Sequence, residues 1–177
     1  MRLFWRHGYR GVSIRDIAAE TGVLPGSLHH HYGSKRGLFL EALRHYDREH
    51  REMLLAELAQ RPSPREAITE VFEHAVAQIL DENSTDGCLT VNATLELGAD
   101  DGEVSGIAAR AFRGMEVFLR DSIERGQDCG EIPPHVDPVE TSRGLLAMFL
   151  GIRVLSRAQP REAGLRAIVR TVHAMLS

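Results

Sequence analysis

The chain has 177 residues, enough to bury a hydrophobic core without disulfide or metal staples, and its two cysteines, Cys88 and Cys129, show neither a CxxC pair nor Cys/His ligand spacing. The longest apolar run, Leu145 to Leu150, is far short of the roughly 20 residues of a spanning helix, and the start lacks a signal-peptide core, so a soluble chain in a reducing cytoplasm is expected. The net charge of −4, taken whole, argues mildly against a nucleic-acid partner.

In chain order the signals are helical. Ser13 is an N-cap for a two-turn helix carrying Ile14, Ile17 and Ala18 on one face, which Gly22 stops. Pro25 suits the first position of a second helix, through Ser27, Leu28 and His31 to Gly33, with Leu28 and Tyr32 as core residues on one face. Ser34 caps a third that begins at Lys35 and runs on to about Gln60, before Pro62 and Pro64. Two short helices joined by Gly22, Val23 and Leu24 form a helix-turn-helix.

Ser63 caps the next helix, whose apolar residues recur at helical spacing and which is expected to end near Asn83. From Cys88 to Leu97, Leu89, Val91, Ala93, Leu95 and Leu97 alternate with polar residues, the period of a strand. Nothing else in the chain offers a strand partner, so the segment is read as a helix. A further amphipathic helix covers Val104 to Arg125, a Gly/Pro loop Gly126 to Pro138, and two last helices about Pro138 to Arg157 and Arg161 to Leu176. The fold class is all-α.

Charge divides the chain at residue 46. Residues 1–46 hold seven basic groups against three acidic ones, a balance of +4, which leaves −8 on the remainder, and five of the nine histidines lie in the first part. A basic head of residues 1–46 and an acidic body of residues 47–177 follow. In the head, the second helix of a helix-turn-helix enters the major groove, so Gly26, Ser27, His29 and His30 face DNA and Lys35 takes a phosphate. The run His29 to His31 is not a metal site, because adjacent helical residues point about 100° apart and do not converge on one ion.

The head resembles the TetR/AcrR type of bacterial transcriptional repressors. The residues that carry the resemblance are Leu3-Phe4, the stretch from Gly8 and Tyr9 through Ser13, Ile14, Ile17 and Ala18, Gly22-Val23, Gly26-Ser27-Leu28, and His31-Tyr32 followed by Lys35 and Leu38. The resemblance implies an all-helical homodimer on a palindromic operator, with Ser13, Ser27, His29, His30, Tyr32 and Lys35 touching DNA or bracing the helix that does. His29 stands where members usually have Tyr, and Leu24 where a small polar residue is common. The family's first helix normally begins about two turns earlier, so a longer native chain is expected.

In the body, Cys88 is placed in a first helical turn, where free N–H groups favour a thiolate, with Asn92 and Glu96 expected on its face at i+4 and i+8. The Gly87-Cys88-Leu89 segment resembles a branch of that family in which some members sense electrophiles or oxidants through this cysteine; the alternative is a small packed thiol. Phe72, Val76, Asn92, Leu95, Phe112, Met115, Glu116 and Phe118 are candidates to line an effector pocket between helices. Met148, Phe149, Ile152 and Leu155, with Leu165, Ile168, Val169 and Val172, exceed what two terminal helices hide alone and point to pairing with a second copy in a four-helix bundle. No cofactor or membrane partner is implied, and the effector is unnamed. Competing readings are a thiol enzyme using Cys88 with His74 as base, or a DNA-free interaction protein with a degenerate head.

Overall fold

A computed structural model describes residues 1–81, 86–158 and 161–177, and among them every regular element is helical. Helix α1 (Arg2–His7) places Phe4 edge-on to Phe39, ring centroids 5.0 Å apart, and so packs into the head. It stops at Gly8, whose φ of 72° favours glycine and where a Cβ would meet the Glu96 carboxylate at 2.6 Å.

Helix α2 (Ile14–Thr21) opens with a capping box: the Ser13 hydroxyl accepts from the Asp16 amide, and the Asp16 carboxylate accepts from the Ser13 amide. Gly22, left-handed at φ 70°, ends it. Helix α3 (Pro25–Tyr32) starts on Pro25 and turns out at Gly33; helix α4 (Lys35–Tyr46) is capped by the Ser34 hydroxyl on the Gly37 amide.

The long third helix expected from Lys35 to Gln60 exists as a rod with a change of pitch. Helix α4 passes into a π-helical segment, Asp47–Glu52, and returns as α5 (Met53–Leu58). Asp47 and Arg51 form a bidentate ion pair one turn apart inside that segment.

Helix α6 (Pro64–Leu80) ends earlier than expected; Asn83 lies outside the described residues. Helix α7 (Leu89–Leu97) resolves the alternating segment as a helix, with Leu89, Val91 and Ala93 buried and Leu95 exposed. Helix α8 (Gly102–Asp128), capped by Asp101, continues beyond its expected end, and in its last turn Gly126 lies under Ile132, where a Cβ would come within 2.6 Å. The loop therefore begins at Cys129. Helix α9 (Pro138–Leu155), capped by Asp137, passes through a 3-10 turn (Ser156–Ala158), and α10 (Glu162–Met175) follows.

Two cores form. One joins α5, α6, α8, α9 and α10 around Phe72, Leu119, Ile152 and Leu165. The other fills the head around Phe4, Phe39 and Leu43, and it takes in Leu89 and Ala93 of α7 and Val104 and Ile107 of α8. Burial of apolar side chains thus runs across residue 46 without a break.

Candidate nucleic-acid interface and effector cavity

Helix α3 is held by a single inward side chain, Leu28, and presents the rest to solvent. Gly26, Ser27, His29 and His30 are exposed, and nothing lies within 4 Å of the place a Cβ would take at Gly26. Tyr32, expected in the core beside Leu28, is 39% exposed instead. Its place as a packing residue is corrected: the helix stops at the next residue, and its ring faces out beside His31, centroids 6.4 Å apart. Lys35 is half-buried with Nζ 4.4 Å from the centre of the Tyr9 ring, which fixes a cation at the start of α4. The Ser13 hydroxyl is engaged in its cap, so a phosphate there would meet the α2 N-terminus and the far side of that hydroxyl.

Four polar links among the described residues bind this head to the body. Arg36 grips Asp101 through two bonds, 2.8 and 2.9 Å, and Glu103 at 2.7 Å, joining the starts of α4 and α8. That guanidinium, with the first amides of α8, holds the Asp101 carboxyl down to about 2. Glu96 accepts from the Tyr9 and Arg10 amides at 2.8 and 2.7 Å. The Trp5 indole donates to the Gly87 carbonyl at 3.0 Å, while Arg6 pairs with Asp86.

Behind the head lies a cavity of about 50 Å³ whose wall includes Tyr46, Asp47, His50, Gln78, Cys88, Phe112, Met115, Leu146, Phe149 and Arg153. It brings together Cys88, Phe112 and Met115, as expected, but not Asn92 or Glu96. Those two face away: Asn92 donates to the Asp86 carbonyl, and Glu96 clasps the head. The cause is that Cys88 is the N-cap of α7 with extended backbone, φ −116° and ψ 123°, so helical counting from it does not apply. Leu95 is 71% exposed and also lies off the cavity. Phe72, Val76 and Phe118 are core, and Glu116 pairs with Arg143 at the surface.

Burial, reinforced by the neighbouring Cys88 thiol, pushes the Tyr46 phenol well above its ordinary range. Burial also lowers the imidazoles of His50 and His74, with Arg153 adding to the effect on each. Arg153 itself is buried, donates to Gln78 Oε1 at 2.7 Å and stacks on Phe149 at 5.0 Å. Sequence reasoning passed over Arg153. Its signal was there: a lone cation near the end of the apolar stretch from Leu145 to Leu155. His74 bonds with Gln78 and is absent from the cavity wall, so it is not placed as a base for Cys88.

Of the residues assigned to a subunit interface, Ile152, Leu165 and Val172 are fully interior to the protomer, which corrects their assignment: their apolar face is met by α6 and α8 of the same chain. Phe149 lines the cavity and meets Phe72 edge-on at 6.0 Å. Met148, Ile168 and Val169 are half-buried, and Leu155, with neighbouring Val154, is exposed. Among the described residues no group of three His, Cys, Asp or Glu is placed to share a metal ion, and no helix is long and apolar enough to cross a membrane.

A head whose second short helix stands clear of its own core, carried on a helical body with an internal cavity, defines a helix-turn-helix regulator of transcription. Family comparison agrees at both ends: residues 1–42 match the model of bacterial regulatory proteins of the tetR family, and residues 64–172 the tetracyclin repressor-like C-terminal domain. The chain belongs to the TetR family and is a DNA-binding transcriptional regulator. It is 28% identical over 161 residues to the HTH-type transcriptional repressor ComR of Escherichia coli K12, covering 89% of this chain and 75% of ComR. The uncharacterized HTH-type transcriptional regulator YezE of Bacillus subtilis 168 is also 28% identical, over 88% of this chain and 78% of YezE. Among solved structures, a cysteine mutant of the TetR family regulator CifR complexed with 26-bp double-strand operator DNA superposes with a TM-score of 0.85 at 26% identity, covering 98% of this chain and 91% of that one. The reduced form of E. coli NemR shares the fold, with a TM-score of 0.87 at 22% identity over 99% of this chain and 92% of NemR.

Proposed function

We propose that this regulator is a homodimeric repressor that holds a palindromic operator through the α3 helices of two protomers and lets go when the cavity at Cys88 is filled or its thiol is modified. Residues 1–46 carry the DNA-binding role, with Ser13, Gly26, Ser27, His29, His30, Tyr32 and Lys35 at the contact. Residues 47–177 carry effector binding and pairing, and the work is done in the cytoplasm, where the DNA is. One observation carries the reading: Tyr46 belongs to the core of the head and is also part of the cavity wall, and Cys88 lines that wall and packs against the same core. Anything that displaces the thiol or enters beside it pushes on the rod that supports α3. Two such helices need a spacing of roughly 34–36 Å, one turn of DNA, so a small rotation of the rods is enough to break the fit.

Exposed Val154 and Leu155, with half-buried Met148, Ile168 and Val169, supply the apolar surface that favours pairing of α9 and α10 with a second copy. Gel shift with the DNA upstream of its own or a neighbouring gene, with and without N-ethylmaleimide, tests the reading. A Cys129→Ser background removes the exposed second thiol. Release by N-ethylmaleimide that is lost in Cys88→Ser supports thiol control; operator binding that the reagent leaves intact while Cys88 is present points to a reversible ligand. Absence of any specific shift would refute operator binding.

A further inference from the structure

The strongest unexplained group in the molecule is Arg153. It is only 8% exposed, its Nε is buried without a partner, and among the described residues its guanidinium donates to the neutral amide of Gln78 alone. The other charges of the same wall are already balanced, since Asp47 and Arg51 satisfy one another through two bonds. No carboxylate pairs with Arg153 among the described residues. Around it stand Tyr46 and His50 from the rod, Gln78 from α6, Cys88 from the start of α7 and Phe149 from its own helix.

A buried, unpaired guanidinium is costly and destabilises the protein that keeps it, unless an anion arrives to satisfy it. The surroundings select the anion. One unbalanced cation matches a monoanion, the planar fork of a guanidinium matches a carboxylate, and Phe112, Met115 and Leu146 offer apolar contact to whatever the carboxylate is attached to. The space of about 50 Å³ equals a few waters, at about 10–15 Å³ of such volume for each, which admits a short chain of atoms rather than a large ring system.

We propose that the cavity binds a small organic monocarboxylate, with its anionic group on Arg153 and its apolar part against Phe112, Met115 and Leu146. The proposal rests on the reading of this cavity as the effector site, and names the chemical class of the effector.

The test compares butyrate and hexanoate with butyramide and hexanamide, and with inorganic phosphate, at matched ionic strength, reading thermal stability and operator binding. The two carboxylates are expected to raise the melting temperature saturably, and the amides and phosphate are not. Arg153→Gln should weaken butyrate binding about tenfold or more, the loss expected for charge-assisted bonds. Equal shifts from carboxylate and amide, a shift from phosphate alone, or unchanged butyrate affinity in Arg153→Gln would overturn the proposal. Should that variant not fold, Arg153→Lys carries the same test: it keeps the charge and loses the fork, so affinity should fall about threefold or more, and unchanged affinity overturns the proposal. Operator release by N-ethylmaleimide with no carboxylate effect sinks the anion and leaves the effector site standing. Stabilisation by butyrate with DNA binding indifferent to both reagents keeps the anion site and sinks the effector reading.

Discussion

Glu96 is the residue whose removal most directly separates head from body without touching either core. Its two oxygens accept from the amides of Tyr9 and Arg10, in the turn between α1 and α2, at 2.8 and 2.7 Å. Hydrogen bonds to a charged group contribute about 1.5–3 kcal/mol each. Arg10 is exposed and Glu96 half-buried, so water replaces part of what is lost. We therefore expect Glu96→Ala to cost about 1–2 kcal/mol, less than the sum of two such bonds. For a chain of this length that lowers the melting temperature by about 2–8 °C. Glu96→Gln keeps one acceptor oxygen and should lose about half as much. Urea and thermal unfolding give the stability change, and amide hydrogen exchange reads the site itself, with Tyr9 and Arg10 exchanging faster in Glu96→Ala. Stability within about 0.5 kcal/mol of the parent, together with unaltered exchange at those two amides, would refute the clasp.

Two further outcomes are expected. Lys35→Ala should weaken binding to all DNA sequences alike and reduce the slope of log affinity against log salt by about 1, whereas Ser27→Ala and His30→Ala should change sequence preference; uniform loss in all three would contradict that division. Asp101, held at about 2 against an ordinary value of about 3.9, stabilises the fold through its ionised form above the ordinary value, and that contribution fades as pH falls from about 4 towards 2. Asp101→Asn should flatten the loss of thermal stability over that interval, and an unchanged profile would argue against the Arg36 pair as its source.

The head was legible because its signals are local. Ser13, Gly22, Pro25, Gly33 and Ser34 act on the turn of backbone next to them, and each capping or stopping role they predict is made in the structure. What failed needed distance or direction. Counting by fours from Cys88 placed Asn92 and Glu96 at its side because the count assumed a helical residue, and Cys88 is extended. A 3.6-residue stripe states that Ile152, Leu165 and Val172 are covered, but the period is the same whether the cover is the same chain or a second one. Tyr32 ends its helix, where the facing rule no longer controls the ring. The pairs Arg36 with Asp101 and Glu96 with Tyr9 span more than sixty residues and leave no local trace. Arg153 had a trace, a charge among apolar neighbours, which only burial turns into a site.

The shared core of Phe39, Leu43, Leu89, Ala93, Val104 and Ile107 bears on how such a regulator can be rebuilt. A graft that exchanges reading heads between two regulators by cutting at residue 46 would sever one half of that core from the other, leaving apolar surface bare on both fragments. A viable chimera has to carry α7 and the first turns of α8 along with the head, or repack those six positions together. Specificity for DNA and responsiveness to an effector are therefore not interchangeable cartridges in this chain; they are inherited as a matched set.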